Sequence, residues 1–238
     1  MQSIQRQLLE NSLRFTELHR GRVRREGGLI HLDSAEPDFR CTLVERLDAE
    51  IPEAIHTVRT LPWAGAVGPA LKAQGFQPRG KLRYLRLNAA LPVPVTDLSV
   101  TRVIDPYQLT AFSEVQTRSF LLPNESFAQW FRFLDDANRS NLGDPEQSFW
   151  VGALEGRAVC AAHVMRTGAV AGLYAVATLP GFRRRGFSRA LAGRAIAEST
   201  AAGAEIITLQ VYSDSPAEAL YLKLGFVLEF DAEVWTRS

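Results

Sequence analysis

The stretch Val176-Ala-Thr-Leu-Pro-Gly-Phe-Arg-Arg-Arg-Gly-Phe-Ser188 decides how the rest of the chain is read. An uncharged run, Thr167 to Phe182, leads through a short loop into three consecutive arginines. A helix-forming segment from about Arg184 to Ala202 follows at once and is closed by Gly203 at the C′ position. The first turn of a helix leaves about four backbone N–H groups without intrahelical acceptors, and its dipole favours an anion. Glycine at position 186 lets an oxyanion approach the backbone, and Arg183, Arg184 and Arg185 can add charge-assisted hydrogen bonds to phosphate oxygens. Together these features describe a pyrophosphate cradle at a helix N-terminus. A charge run is more often a solvated turn. Here, however, each arginine opposes the helix dipole by ~0.3–1 kcal/mol, a local cost that a bound polyanion would offset. The segment is neither a Walker A loop nor a G-x-G-x-x-G dinucleotide fingerprint.

Working outward, the strand before the loop is expected over Ala169–Thr178, preceded by strands at Phe149–Leu154 and Ala158–Arg166 with a tight turn at Glu155-Gly156-Arg157. Upstream lie a strand at Leu98–Val103, a helix from Asp105 and a second near Glu125–Ala137. Downstream come a strand at Ile206–Tyr212, a helix near Pro216–Leu224 and a final strand pair. This order specifies a mixed α/β domain. The first half reads as a helix over residues 2–19, a hairpin around Gly27-Gly28 and a strand within Phe39–Leu47. A helix over Asp48–Leu61 with Asp48 as N-cap, a short helix near Pro69–Gln74 and a strand through Lys81–Leu87 follow. Leu91-Pro-Val-Pro-Val is the expected boundary, dividing the chain into residues 1–95 and 96–238.

Two motifs resemble those of the GNAT superfamily of acyltransferases. Arg183-x-x-Gly186-x-Ser188, after Val176-Ala-Thr-x-Pro180, is similar to its acetyl-CoA-binding motif, Q/R-x-x-G-x-G/A, with Ser188 in place of the last small residue. About 30 residues on, Asp214-Ser-Pro-Ala-Glu-Ala-Leu-Tyr-Leu-Lys-Leu-Gly-Phe226 resembles N-x-x-A-x-x-L-Y-x-x-x-G-F, with Asp214 where Asn is usual. A carboxylate cannot donate the hydrogen bond an amide would. The resemblance covers residues 98–238. It implies a GNAT fold, a central, mostly antiparallel mixed sheet flanked by helices, with acetyl-CoA (coenzyme A) as co-substrate and no metal. It assigns the cofactor to Ala175, Val176 and Ala177 on a splayed strand, to the turn Arg183, Arg184, Arg185, Gly186, Phe187, Ser188 and Arg189, and to Asp214. Tyr221 is then the general acid that protonates the departing thiolate after an amine attacks the thioester directly. Without the motif, Tyr221 would read as a core tyrosine and His163 as a structural histidine. The general base is unassigned, and Glu229, Asp231 and Glu233 read first as a solvated acidic edge.

Composition narrows the field further. The 238 residues carry a net charge of +1 with 46% hydrophobic and 22% charged residues, an ordinary globular balance. Splitting near Asp97 gives 14 Lys+Arg against 11 Asp+Glu, then 13 against 15, so neither half suits a general nucleic-acid binder. Two cysteines and four scattered histidines form no zinc spacing or disulfide framework. The longest uncharged stretch, 16 residues, falls short of a membrane span. The expectation is a cytoplasmic monomer or homodimer acting on a small-molecule or peptide amine, without nucleic acid or membrane. The rival reading is a non-catalytic acyl-CoA sensor. Phe127, Trp130, Phe131 and Trp150 could line an acceptor pocket, with core packing as their ordinary role.

The first half contains a shorter echo. Pro69-Ala-Leu-Lys-Ala-Gln-Gly-Phe76 aligns with Ala219-Leu-Tyr-Leu-Lys-Leu-Gly-Phe226 at a separation of 150 residues. Leu71 falls where Tyr221 stands, and no R-x-x-G-x-G element precedes it. Residues 1–95 thus resemble a degenerate copy of the same fold, as in tandem GNAT proteins. The alternative is an unrelated α/β extension.

Overall fold

The computed structural model describes residues 3–48, 50–89 and 93–237. Along the chain run α1 (Ile4–His19), β1 (Arg22–Glu26), β2 (Leu29–Asp33), β3 (Cys41–Val44), β4 (Thr57–Thr60), α2 (Gly68–Ala73), β5 (Gln77–Leu87) and β6 (Ser99–Arg102). They continue as α3 (Pro106–Phe120), α4 (Phe127–Ser140), β7 (Gln147–Leu154), β8 (Arg157–Thr167) and β9 (Val170–Thr178). The chain finishes with α5 (Phe187–Ala201), β10 (Ile206–Tyr212), α6 (Pro216–Lys223) and β11 (Phe226–Thr236). Packing separates the described residues into two compact units, one running to Asn88 and resuming at Gln210, the other spanning Ala89–Leu209. The units therefore do not follow the two linear halves expected from the proline-rich segment, part of which, Leu91-Pro92, lies outside the described residues.

In the first unit β1, β2 and β3 are antiparallel neighbours, and β3 pairs parallel with β4 through Thr42↔Val58 to Val44↔Thr60. β11, from the end of the chain, lies antiparallel to both β4 and β5, pairing with β5 from Phe226↔Leu87 to Thr236↔Gln77. Val44, Ile51, Val58, Leu71, Phe76 and Trp235 form a core on one face of this sheet. In the second unit β6 to β9 form an antiparallel meander, and the start of β10 pairs parallel with β9. Its α3 core joins Leu109, Phe112 and Val115 to Phe149, Val151, Ala161 and Ala177. This is a mixed, mostly antiparallel α/β fold, as expected.

Two elements depart from the sequence reading. Asp48–Leu61 is not a helix. Thr57, Val58, Arg59 and Thr60 form a strand, with Val58 and Thr60 buried and their neighbours half-buried. That period of two, in a run of branched side chains, matches a pleated surface. Asp48 receives a bond from Arg46 Nε at 2.5 Å and caps nothing. The carbonyls of Ile51, Pro52 and Ile55 accept from the Arg237 guanidinium. An arginine 182 to 186 residues away thus takes the acceptors a helix would have used. The expected final strand pair is one strand, β11, with a register shift between Leu228 and Phe230. No glycine or proline interrupts it, and irregularities at Glu229 and between Val234 and Trp235 are absorbed as bulges.

The two Gly-Phe segments are built alike. α2 and α6 each end at a left-handed glycine, Gly75 with φ 83° and Gly225 with φ 86°. Each is followed by a buried phenylalanine and an 11-residue strand.

Candidate active site

β9 carries the first part of the site. Its pairing with β10 stops at Gly172↔Thr208, so Leu173–Thr178 run on without a β10 partner. Against β8 the register moves from His163↔Tyr174 to Ala161↔Ala177, leaving Ala175 and Val176 opposite a single residue. Ala175 takes φ 48°, a left-handed conformation that costs a non-glycine residue about 1–2 kcal/mol. Ala175 and Val176 are the only half-buried positions of an otherwise buried strand. The bulge therefore turns backbone polar groups out of the ladder at the positions singled out in the sequence.

The turn after β9 is fastened from below. Leu179 N donates to Val159 O at 2.9 Å, and a 3₁₀ turn occupies Pro180–Phe182. Arg183 is exposed and also bonded to the backbone: its Nε donates to Thr178 O at 3.0 Å and its Nη2 to Ser119 O at 3.2 Å. Its role here is to hold the loop. Arg184, at φ 65°, and Arg185 are exposed. Arg185 lies over the Phe187 ring at 4.7 Å and reaches Asp97 only at 3.8 Å. Side-chain exposures of 46% and 65% make that ion pair weak.

Gly186 is the N-cap of α5 at φ 81°, and no side chain caps the helix. Ser3, Asp105, Ser126 and Ser215 cap α1, α3, α4 and α6 through their side chains, so the bare start of the long α5 helix stands apart. A Cβ built on Gly186 would meet Pro94 and Thr96 at ordinary contact distances, 3.5 and 3.8 Å. Its backbone angle therefore requires glycine, while space does not. Ser188 uses its departure from the motif: its hydroxyl shares a 2.6 Å hydrogen bond with Thr178 Oγ1, tying α5 to β9. Phe187 is buried beneath the turn and Arg189 half-buried.

Tyr221 and Asp214 belong to the first unit. Tyr221, on α6, is buried and meets Phe226 edge-on at 5.7 Å. Burial pushes its phenol above the usual value near 10, so it keeps its proton throughout the physiological range. Asp214 has φ 61°, and its N–H donates to Glu218 Oε2 at 2.7 Å. Glu218 was missed in the sequence reading. It is buried, ion-paired with Arg83, and its own N–H donates to Ser215 Oγ at 3.2 Å. The signal was present as Ser215-x-x-Glu218, a capping-box spacing.

The acidic edge is not free. Glu229 pairs with Arg86 at 3.0 Å, and Asp231 lies 3.3 Å from Lys81 and 3.5 Å from Arg83. Glu233 is exposed. His163 is buried and stacked on Phe149 at 4.3 Å, a structural placement. Of the aromatic residues, Trp150 is buried with Nε1 donating to Ser148 Oγ, whereas Phe127, Trp130 and Phe131 on α4 are half-buried. Among the described residues no helix is long and apolar enough to cross a membrane. No group of three His, Cys, Asp or Glu among them could hold a metal ion.

Residues 150–236 match the family model described as FR47-like protein. Among solved structures, a GCN5-related N-acetyltransferase from Kribbella flavida superposes with a TM-score of 0.70 at 15% identity, covering 100% of this chain and 96% of that one. A GCN5-related N-acetyltransferase from Sphaerobacter thermophilus matches with a TM-score of 0.61 at 18% identity, covering 75% and 58% of the two chains. A tandem GNAT protein from the clavulanic acid biosynthesis pathway gives 0.56 at 15% identity, covering 89% and 80%. No curated protein matches the sequence. The FR47-like match and these superpositions agree with the bulged strand and the bare helix start: this chain has the fold of the GCN5-related N-acetyltransferases.

Proposed function

We propose that the protein transfers an acetyl group from acetyl-CoA to a primary amine. The observation that carries this reading is the uncapped start of α5 at left-handed Gly186, directly after the bulge in β9. The amides of Phe187, Ser188 and Arg189 and the exposed Arg184 and Arg185 suit a diphosphate. The turned-out groups at Ala175 and Val176, with Ala177 beside them, suit an amide-bearing arm. Bound acetyl-CoA would supply an activated acetyl thioester. Strand N–H groups then stabilise negative charge developing on the carbonyl oxygen. Tyr221, held protonated by burial, donates its proton to the departing sulfur as the C–S bond breaks and the C–N bond forms; the amine nitrogen releases its proton to solvent, from which the Tyr221 phenolate is reprotonated. Asp214 is assigned to the cofactor side by its place in the motif, its backbone N–H being donated to Glu218.

The first half is read as a degenerate copy of the same fold. β3 and β4 pair parallel like β9 and β10, and α2 and β5 repeat α6 and β11. Among the described residues between β3 and β4 no helix matches α5, and Leu71 stands where Tyr221 does, so this copy is read as lacking the cradle and the acid.

The test is calorimetry with coenzyme A, followed by thiol release across a panel of amines. Binding with turnover supports the transferase, binding without turnover on any amine supports a sensor, and no heat of binding removes both. Tyr221→Phe is expected to lower kcat by ~10²–10⁴ while coenzyme A affinity is kept. Unchanged turnover takes Tyr221 out of the mechanism.

A further inference from the structure

The proline-punctuated segment marked in the sequence as a boundary does more than connect. Its described part, Val93-Pro-Val-Thr-Asp97, belongs to the second unit together with α5 and lies against that helix. At the helix start, Pro94 Cγ and Thr96 Cγ2 border Gly186, 3.5 and 3.8 Å from where a Cβ would stand. Two turns on, at Gly193, the approach is closer. A Cβ there would lie 2.2 Å from Val93 Cγ2, and its three nearest atoms all belong to Val93. Gly186 and Gly193 are seven positions apart and so share one face of α5. Gly193 has no left-handed backbone to require it, and glycine inside a helix costs about 1 kcal/mol relative to alanine. The passage of Val93 is what excludes a side chain.

The segment is held lightly. Among the described residues no hydrogen bond joins residues 93–97 to α5. Val93, Val95 and Asp97 are exposed, Val95 completely, whereas Pro94 and Thr96 are half-buried. Its charged contact with the turn is Asp97 Oδ2 to Arg185 Nη2 at 3.8 Å, between exposed groups, and such pairs contribute little.

Its place matters more than its strength. Asp97 engages one of the two arginines assigned to a diphosphate, and Pro94 and Thr96 flank the residue from which the uncapped amides of Phe187, Ser188 and Arg189 begin. A diphosphate brought to those amides offers Arg185 a more highly charged partner and repels the Asp97 carboxylate.

We infer that Val93–Asp97 is a displaceable cover over the start of α5, seated on Gly186 and Gly193 and tethered by Asp97, which coenzyme A must move aside on binding. Its closed fraction then lowers the apparent coenzyme affinity. The inference rests on the coenzyme reading of this turn, whereas the seating of the segment on α5 stands on packing alone.

The experiment loosens the cover without touching the cradle. Asp97→Asn removes the tether. Gly193→Leu places a good helix former where Val93 now passes. By calorimetry each should tighten coenzyme A binding about 2- to 5-fold, the scale of an exposed ion pair. Motion of the segment is read from a nitroxide on Val95→Cys, a fully exposed position, and Cys41 and Cys160 are buried away from the label. Coenzyme A should narrow the nitroxide spectrum, and Gly193→Leu should narrow it with no ligand present.

Coenzyme A binding with unaltered label motion, or binding no tighter in either variant than in the wild type, overturns the inference while leaving the coenzyme reading intact. An unaltered spectrum in ligand-free Gly193→Leu overturns the seating on α5 even if acetyl transfer is established. Binding seen only in the variants supports a cover that is closed most of the time. No heat with the wild type or with either variant removes the coenzyme reading, and the cover with it.

Discussion

Glu218 gives the sharpest test of how the α6 entry is held. Its side chain is only 6% exposed and accepts from two directions, the Arg83 guanidinium and the Asp214 backbone N–H at 2.7 Å. Replacing it by alanine deletes a charge-assisted hydrogen bond worth about 1.5–3 kcal/mol. It also strands one member of a largely buried ion pair, a loss of about 3–5 kcal/mol when the partner has no alternative. Arg83 does have one, Asp231 at 3.5 Å, and its side chain is 28% exposed. The lower end of the range therefore applies, and Glu218→Ala is expected to cost about 3 kcal/mol in all. At roughly 2–4 °C per kcal/mol for a chain of this size, the melting temperature should fall about 6–12 °C. Glu218→Gln keeps an oxygen for Asp214 and loses the charge, so it should recover about half of that loss. Urea unfolding followed by the fluorescence of Trp63 and Trp235, both in the same unit, reads the effect. A cycle with Arg83→Met should return a coupling above about 1 kcal/mol. If Glu218→Ala stays within about 0.5 kcal/mol of wild type, the buried pair does not hold this loop and the reasoning fails.

Gly186→Ala should cost about 1–2 kcal/mol for its left-handed backbone, whereas Gly181→Ala, which meets nothing within 4 Å, should be near neutral in the same melts. At Gly152 an added Cβ would lie 2.4 Å from Cys160 Sγ and 2.7 Å from Leu98 Cδ2, so Gly152→Ala should destabilise by about 1–3 kcal/mol through overpacking. An unshifted melting curve would show that the β7–β8 pair gives way more easily than its packing indicates. Burial pushes the Cys160 thiol up to about 12 from 9.0, so the folded state holds a proton that the unfolded chain releases. That stability is complete below about pH 9 and is lost progressively as pH rises toward 12, about 2 kcal/mol of it by pH 10.5. The stability lost between pH 8 and 10.5 should be about 2 kcal/mol smaller in Cys160→Ala than in the wild type, and equal losses in the two proteins would contradict the shift.

Local chemistry made much of this molecule legible. Period-two runs bounded by Gly156 and Gly168 announced β7, β8 and β9. Gly186 before an alanine-rich segment announced α5, because an αL glycine and a helix start are decided within a few residues. The resemblance of Asp214–Phe226 to a family motif placed Tyr221 on a helix facing the interior. Two features lay beyond that horizon. The strand at Thr57–Thr60 was misread because its competitor, a helix, is defeated only by Arg237 binding carbonyls from the far end of the chain. The bonds that Arg183 makes to the carbonyls of Thr178 and Ser119 were equally illegible, because Ser119 is remote in sequence.

The sequence by itself determined the order and kind of most elements, the left-handed turns and the bare start of α5, all of which depend on interactions within one turn or one strand. Tertiary structure alone decided which charges are spent on each other and which remain unmatched. It also decided that the last strand pairs with one from the first half of the chain. Those outcomes follow from side chains and backbone carbonyls brought together across more than a hundred residues, where no local periodicity carries the information.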